Sequence, residues 1–412
     1  MSAQTTQVDI VIVGAGMVGA TLAWGLLQAV PELAIALVDG SALKSSAQNS
    51  DNHPSFDHRA LALSANTVGQ LQRWGLWSGL GDKAAPITDI QVSDRGHFGA
   101  ANLHAEKLGA RCFGQVLEVQ PFGESITAKL SSHPQVQWFA PDTVVEVAPA
   151  VELTQLTLAS GHRLNCQLLV VADGGKSTTR DKLGVTASFY PYEQTAVIAN
   201  LMCEQPHNGW AFERFTSQGP LALLPMSGGR TSLVWCLSAE RAAEVQQLSD
   251  TQFIAELQQV AGYRLGRINK VGQRDSYPLQ LMRTDHIVRH RSVVLGNAAH
   301  ALHPIAGQGF NLGMRDVQCL VELIKQAKTV NSDIGGYELL RQYRDQREPD
   351  IQQVVQFTDG LCRLFSNGSR VLALSRSSGL AALQFITPLQ KPVAELGMGL
   401  VARSFLSGHS PT

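Results

Sequence analysis

Two glycine turns hold the residue types that could do chemistry. The first is Gly14-Ala15-Gly16-Met17-Val18-Gly19, and the second lies within residues 293–316, which read VVLGNAAHALHPIAGQGFNLGMRD. In the first, Gly14 permits a tight bend, Gly16 lets the backbone approach a pyrophosphate, and Gly19 lets a helix pack on a sheet. Asp39, 20 residues beyond Gly19, can accept hydrogen bonds from a ribose. In the second, Gly307 and Gly309 lack a Cβ, and the positive end of a helix starting near Asn311 favours negative charge. The pyrimidine edge of a reduced flavin carries such charge. An ordinary Gly-rich strand-to-helix connection has the same pattern, and a βαβ unit without ligand could carry the first turn.

The flanking segments must position these turns. Residues 8–13 are a short β-branched run, the pattern of a buried parallel strand. Helical spacing follows to Val30, where Pro31 stops it, and a second run over 33–38 ends at Asp39. Strand, glycine turn, helix and strand with a terminal carboxylate form the dinucleotide fingerprint in its proper context, which does not separate FAD from NAD. Residues 136–139, 151–158 and 163–171 are strand candidates, and 115–130 read as a helix with a polar start. The last strand runs into ADGGKSTTR, placing Asp173, Ser177 and Arg180 at its carboxyl end, where open α/β sheets bind ligands. Asp-Gly is equally a common turn, and Asp173 could only cap a helix. Arg59 could neutralise a cofactor phosphate or be a solvated surface side chain.

From residue 187 the pattern changes. Residues 195–203, 209–216, 219–225 and 231–237 read as four strands in a meander, hence an antiparallel sheet. Tyr192, Phe212, Phe215, Leu221, Leu223 and Trp235 are candidates to line an apolar pocket on it, although such stripes also build plain core. Residues 337–357 suggest a helix kinked or broken before Pro349. The apolar stretches over 361–400 could pack as helices or could offer an apolar face to a membrane. The expected division is a discontinuous cofactor domain (1–83, 103–183, 274–334), an antiparallel-sheet substrate domain (84–102, 184–273) and a helical C-terminal region (335–412).

The 412 residues carry 33 Lys plus Arg against 34 Asp plus Glu, which leaves no electrostatic footprint for nucleic acid. Six cysteines without C-x-x-C spacing or clustered histidines argue against a metal site or a disulfide framework, and fit a cytoplasmic protein. No stretch of 18 apolar residues could span a bilayer, and no basic segment precedes the first apolar run as in a secretory signal.

The segments GAGMVG, ADGGKSTTR and LGNAAHALHPIAGQGFNLG, in that order, resemble the class A flavoprotein monooxygenases over essentially the whole chain. HPSFDHRALALS, VSDRGHFG, YEQTAVIAN, AFERFT and HPIAGQGFNLGMRD resemble the ubiquinone-biosynthesis hydroxylases among them. The resemblance implies an α/β fold with a Rossmann-like FAD-binding domain of the p-hydroxybenzoate hydroxylase type. Gly14, Gly16, Gly19 and Asp39 would hold the ADP part of FAD, and Arg59 and Gln115 its phosphates and ribityl chain. Asp173 would serve both FAD and the pyridine nucleotide, with Ser177 and Arg180 beside it as a transient nicotinamide docking point. Gly307, Gly309, Asn311 and Leu312 would border the isoalloxazine, and Pro304 would lie near its reacting face. Two positions depart from the family: Asp39 stands where Glu is usual, and Asn297 where the family has Asp. Either can still hydrogen-bond a sugar hydroxyl.

The resemblance also implies the chemistry. NADPH or NADH reduces FAD, O2 adds to give a flavin C4a-hydroperoxide, and a phenolic ring attacks it, so no catalytic acid or base is strictly required. A group that deprotonates the phenol would help; Tyr192, His53 and Tyr277 are candidates. The implied substrate is a polyprenylated methoxyphenol, with other ubiquinone-biosynthesis proteins as partners and a location in the cytoplasm or peripheral at the inner membrane face. Rival readings are another ring hydroxylase of that pathway, a flavin-dependent prenyl reductase, and a non-catalytic nucleotide- or lipid-binding subunit.

Overall fold

The computed structural model describes residues 5–42, 59–95, 100–365, 379–384 and 386–399. Its first sheet has the order Val288–Arg289, Ser292–Val294, Arg163–Val171, Thr5–Val13, Ile35–Val38, Val136–Phe139, with an antiparallel arm of Val144–Pro149 and Thr154–Leu158. The central strands pair in parallel, and their β-branched and aliphatic residues are buried on both faces, as helix-covered parallel strands require. The helices Met17–Ala29 and Gln308–Thr329 pack together beside this sheet. Their close approach depends on Gly296 and Gly313. A Cβ on either would stand 3.1 or 3.2 Å from the Val18 side chain.

The second sheet has the order His300–Ala301, Ile268–Thr284, Ala187–Cys203, Arg230–Ser238, Gly219–Pro225, Trp210–Thr216, Asp89–Asp94, Ala100–His104. One of its faces is covered by the helix Asp250–Ala261, which starts in a capping box between Ser249 and Gln252. Trp235 and Phe253 meet there edge to face, with ring centroids 6.0 Å apart. The opposite face looks across the molecule at the glycine turns. A small sheet of Ala60–Ser64, Gly114–Glu118 and Ala85–Ile87 bridges the two. Arg230 ties it to the second sheet by a two-pronged ion pair with Glu118 at 2.9 and 2.8 Å.

Several expectations need correction. Gly114–Glu118 is a strand, and the helix begins only at Val119. The expected boundary between 273 and 274 falls inside the 17-residue strand Ile268–Thr284, which pairs with Ala187–Cys203 along its length, so residues 274–284 belong to the second sheet. The helix Tyr337–Phe365 does not stop before Pro349. Ion pairs from Arg347 to Asp316 and from Arg315 to Asp350 flank the proline and hold the helix against its neighbour. Part of the described apolar tail packs inward. Ala394 and Met398 are buried with Ile87, Leu103, Phe113 and Ala211, and the Gln384 side chain accepts a hydrogen bond from the Asn102 N–H at 2.6 Å.

Candidate active site

One continuous cleft of about 1670 Å³ joins the two glycine turns. Its lining includes Gly14, Gly16, Asp39, Arg59 and Asp173 together with Asn297, Pro304, Gly307, Gly309 and Asn311. Gly14 sits at φ +98°, open only to glycine at low cost, and a Cβ there would stand 2.5 Å from the Ala172 carbonyl. A Cβ on Gly19 would come 1.9 Å from the Gly14 oxygen, so Gly19 serves helix packing and does not itself line the cleft. Asp39 is held by the turn it serves: the Ala15 and Ser41 N–H groups donate to its two oxygens, both at 2.8 Å. Each oxygen keeps a lone pair for a ribose hydroxyl.

The residues fit a flavin dinucleotide on two further observations. The Oδ1 atom of Asp173 is buried and finds no hydrogen-bond partner among the described residues. Such an oxygen costs about 1–3 kcal/mol unless something supplies a donor, and a ribityl or ribose hydroxyl would do so. Gly309 has nothing within 4 Å of the place a Cβ would take, so open cleft lies in front of the helix N-terminus.

Not every predicted residue turns towards this cleft. The Asn311 side chain is fully used in holding two elements together. Its oxygen accepts from Ser64 N–H at 2.8 Å and Thr67 Oγ1 at 2.9 Å, and its amide donates to the Ala62 and Gly307 carbonyls, both at 2.8 Å. Leu312 is fully buried in the main core. Gln115 is half-buried one residue from Gly114, which does line the cleft. Ser177 caps a short helix through the Arg180 N–H at 2.9 Å. Arg180 is 3% exposed and donates to the Gly175 and Ala298 carbonyls, both at 3.2 Å. Both are therefore spent inside the protein, which corrects the docking role expected for them. Leu223 and Trp235 point to the helix-covered face of the second sheet and do not line the cleft. Strand alternation decides this: Ala222, Leu224, Ser232 and Val234 face the cleft instead. Phe212 reaches the cleft wall while stacking on Trp210 at 5.9 Å. Tyr192 stands edge-on to His303 at 5.0 Å, behind the cleft lining, whereas Tyr277 lines it. His53 lies outside the described residues.

Three ionisable residues at or beside the cleft escaped sequence reasoning. Asp316 is fully buried and accepts from Gly296 N–H at 3.1 Å, His300 Nε2 at 2.7 Å and Arg347 Nε at 2.8 Å. Burial alone would raise its carboxyl, but Arg347 and His300 hold it down to about 2. It thereby fixes the turn that presents Asn297 to the cleft. His303, buried beside Pro304, receives the Ile305 N–H on Nδ1 at 3.2 Å and faces Gln194 Oε1 through Nε2 at 3.1 Å. Burial lowers it to about 4, so the ring is neutral near pH 7. Glu213 lines the cleft, and burial pushes its carboxyl up to about 8. Its signal was readable in Ala211-Phe212-Glu213-Arg214-Phe215, where strand alternation puts one charge on the face shared by Ala211 and Phe215.

Two glycine turns lining one cleft, with Asp39 and the partnerless Asp173 oxygen beside the first, give the class of site that takes a dinucleotide cofactor. An FAD binding domain family matches residues 7–358. The ubiquinone hydroxylase UbiL of Rhodospirillum rubrum is 34% identical over 95% of this chain and 89% of its own. The 3-demethoxyubiquinol 3-hydroxylase of Escherichia coli is 29% identical over 95% of this chain and 98% of its own. The crystal structure of p-nitrophenol 4-monooxygenase PnpA from Pseudomonas putida DLL-E4 covers 98% of both chains with a TM-score of 0.73 at 16% identity, a likeness of fold. The chain belongs to the FAD-dependent aromatic-ring monooxygenases, in the branch of the ubiquinone-biosynthesis hydroxylases. FAD is the cofactor and NAD(P)H the reductant of this class. Among the described residues, no helix is long and apolar enough to cross a membrane.

Proposed function

We propose that this protein adds a hydroxyl group to a polyprenylated methoxyphenol on the way to ubiquinone, para to the existing hydroxyl, as a 2-polyprenyl-6-methoxyphenol hydroxylase does. The observation that carries this reading is the chamber itself. The sheet face in the cleft offers Val92, Ile198, Phe215, Leu224 and Val234 among a few polar residues, and the cleft runs on to Leu380, Leu383 and Val393 of the tail. A ring seated near Pro304 would leave its prenyl chain along that apolar wall. The names of the two curated relatives support hydroxylation of a ubiquinone precursor and leave the ring position to experiment.

FAD, when bound, takes two electrons from NAD(P)H and delivers one oxygen atom of O2 to the ring. The chain's own part is to hold the flavin through Gly14, Gly16, Asp39, Arg59, Asp173, Asn297 and Gly309, to orient the phenol, and to keep water out. The half-exposed Ile386 and Val393, at 47% and 37%, lie on tail segments beside the cleft and would let the protein rest peripherally on a membrane that stores the substrate. The test is NAD(P)H oxidation with a prenylated 2-methoxyphenol, followed by product mass and ring-position assignment. Gain of one oxygen atom at the para carbon is expected; NAD(P)H oxidation without an oxygenated phenol overturns the reading.

A further inference from the structure

We propose that Glu213 takes the hydroxyl proton of the bound phenol and is a catalytic residue for ring hydroxylation. The inference deepens the function proposed above and rests on it.

Glu213 lies in the strand Trp210–Thr216, on the face it shares with Ala211 and Phe215, towards the cleft. Its cross-strand neighbours in register are Ala222 and Val92, neither of which can pair with a carboxylate. Among the described residues no hydrogen bond or ion pair engages it. An uncompensated carboxyl in an apolar wall opposes folding, and such groups concentrate at sites of chemistry.

Its place in the cleft is the ring end. Phe215, two residues on, packs with Ile305, the neighbour of Pro304, and with Cys362. The Glu213 charge is felt by the thiols of Cys236, two strands away in Arg230–Ser238, and Cys362 on the helix Tyr337–Phe365. Burial raises both thiols, Cys362 to about 12, so both are neutral near pH 7. The other titratable groups around it include Asp94, opposite Phe215 on the paired strand, Asp359 beside Cys362, Tyr192 with His303 behind Phe215, and Asp275 and Tyr277 on the cleft-facing strand Ile268–Thr284. None is a cation that would hold the carboxyl down, and burial lifts it from 4.5 to about 8. A phenol releases its proton near pH ~10, so an ordinary carboxylate is a poor base for it and one near 8 is well matched.

In the proposed step the phenol O–H bond breaks and the proton moves to the carboxylate. The electron pair stays on the ring oxygen and raises electron density at the para carbon. O2 then supplies the oxygen atom and NAD(P)H the two electrons.

The experiment compares holoenzyme carrying Glu213→Gln or Glu213→Asp with the wild type. For Glu213→Gln, FAD content and the rate of flavin reduction by NAD(P)H should be unchanged, while phenol hydroxylation falls roughly 100-fold. The acid limb of the pH profile, centred near 8 in the wild type, should vanish, and Glu213→Asp should restore it in part. Ultraviolet difference spectra with 2-methoxyphenol at pH 8.5 should show bound phenolate in the wild type and neutral phenol in Glu213→Gln. Hydroxylation by Glu213→Gln within threefold of wild type, with the same acid limb, overturns the role of Glu213 alone. A wild type that hydroxylates no phenol overturns the function proposed above, and this role with it.

Discussion

The helix Gln308–Thr329 removes Asp316 from water, and the strand Trp210–Thr216 sets Glu213 half-buried in the cleft wall, yet the two carboxyls are shifted in opposite directions. Asp316 meets a guanidinium, an imidazole and a backbone N–H, and is held down to about 2. Glu213 meets alanine, valine and thiols, and is pushed up to about 8. Burial acts on both in the same direction; the difference is the partner. The first region is built to keep its charge and stay rigid, because the Gly296–Asn297 turn depends on it. The second is built to lose its charge, which is useful where a proton must move.

Removing a partner from the first region should have the largest effect. Arg347→Leu leaves Asp316 buried without its guanidinium and should cost about 3–5 kcal/mol in chemical denaturation, with loss of bound FAD as the Gly296 turn loosens. A change below about 1 kcal/mol would mean that the network is no stronger than a surface pair.

The two carboxyls should also give stability opposite slopes in pH. The folded pKa of Asp316 lies below its ordinary 3.8, so its contribution is full above that value and is lost as pH falls through about 2. The folded pKa of Glu213 lies above its ordinary 4.5, so its contribution is full below 4.5 and is lost as pH rises through about 8. Thermal unfolding of Asp316→Asn and Glu213→Gln across pH 2–9 should flatten the acid and the alkaline decline respectively. If both variants keep the wild-type pH profile, the contrast fails.

A cation offered to Glu213 sharpens the comparison. Ala222→Lys, directly across the strand pair, should pull the carboxyl down and move the acid limb of hydroxylation by about 1–2 pH units towards acid. An unmoved limb would assign it to another group.

The smallest effect concerns the Gly307–Gly309 turn at the start of the helix that carries Asp316. The position a Cβ would take on Gly309 is clear of protein, so Gly309→Ala should leave the stability of the FAD-free protein within about 0.5 kcal/mol. It should still weaken FAD binding about tenfold, read by fluorescence titration. Unaltered affinity would move the flavin ring away from this turn.

Much of this architecture was legible in one dimension. The βαβ unit, the last three meander strands and the second glycine turn follow from local periodicity and from glycines that tolerate positive φ, which neighbours along the chain reveal; the first expected meander strand, Ala187–Cys203, pairs instead with Arg230–Ser238 and Ile268–Thr284. What failed was anything set by facing surfaces. Trp235 and Leu223 sit in the correct strands but on the wrong face, because alternation gives two faces and only the helix Asp250–Ala261 says which is covered. Arg180 and Asn311 are of the right type to hold a cofactor, but tertiary neighbours spend their donors on backbone carbonyls. Pro349 should interrupt a helix by local rules, yet the helix runs through it, flanked by ion pairs to its neighbour.

The sequence by itself determined which segments turn, which alternate and where a dinucleotide could be gripped, because these depend on each residue's own backbone freedom and on spacing. Only the tertiary structure decided which carboxyl has a partner. Asp316 and Arg347 are 31 positions apart, and nothing in the chain between them reveals that they meet, or that Glu213 has no hydrogen bond or ion pair among the described residues.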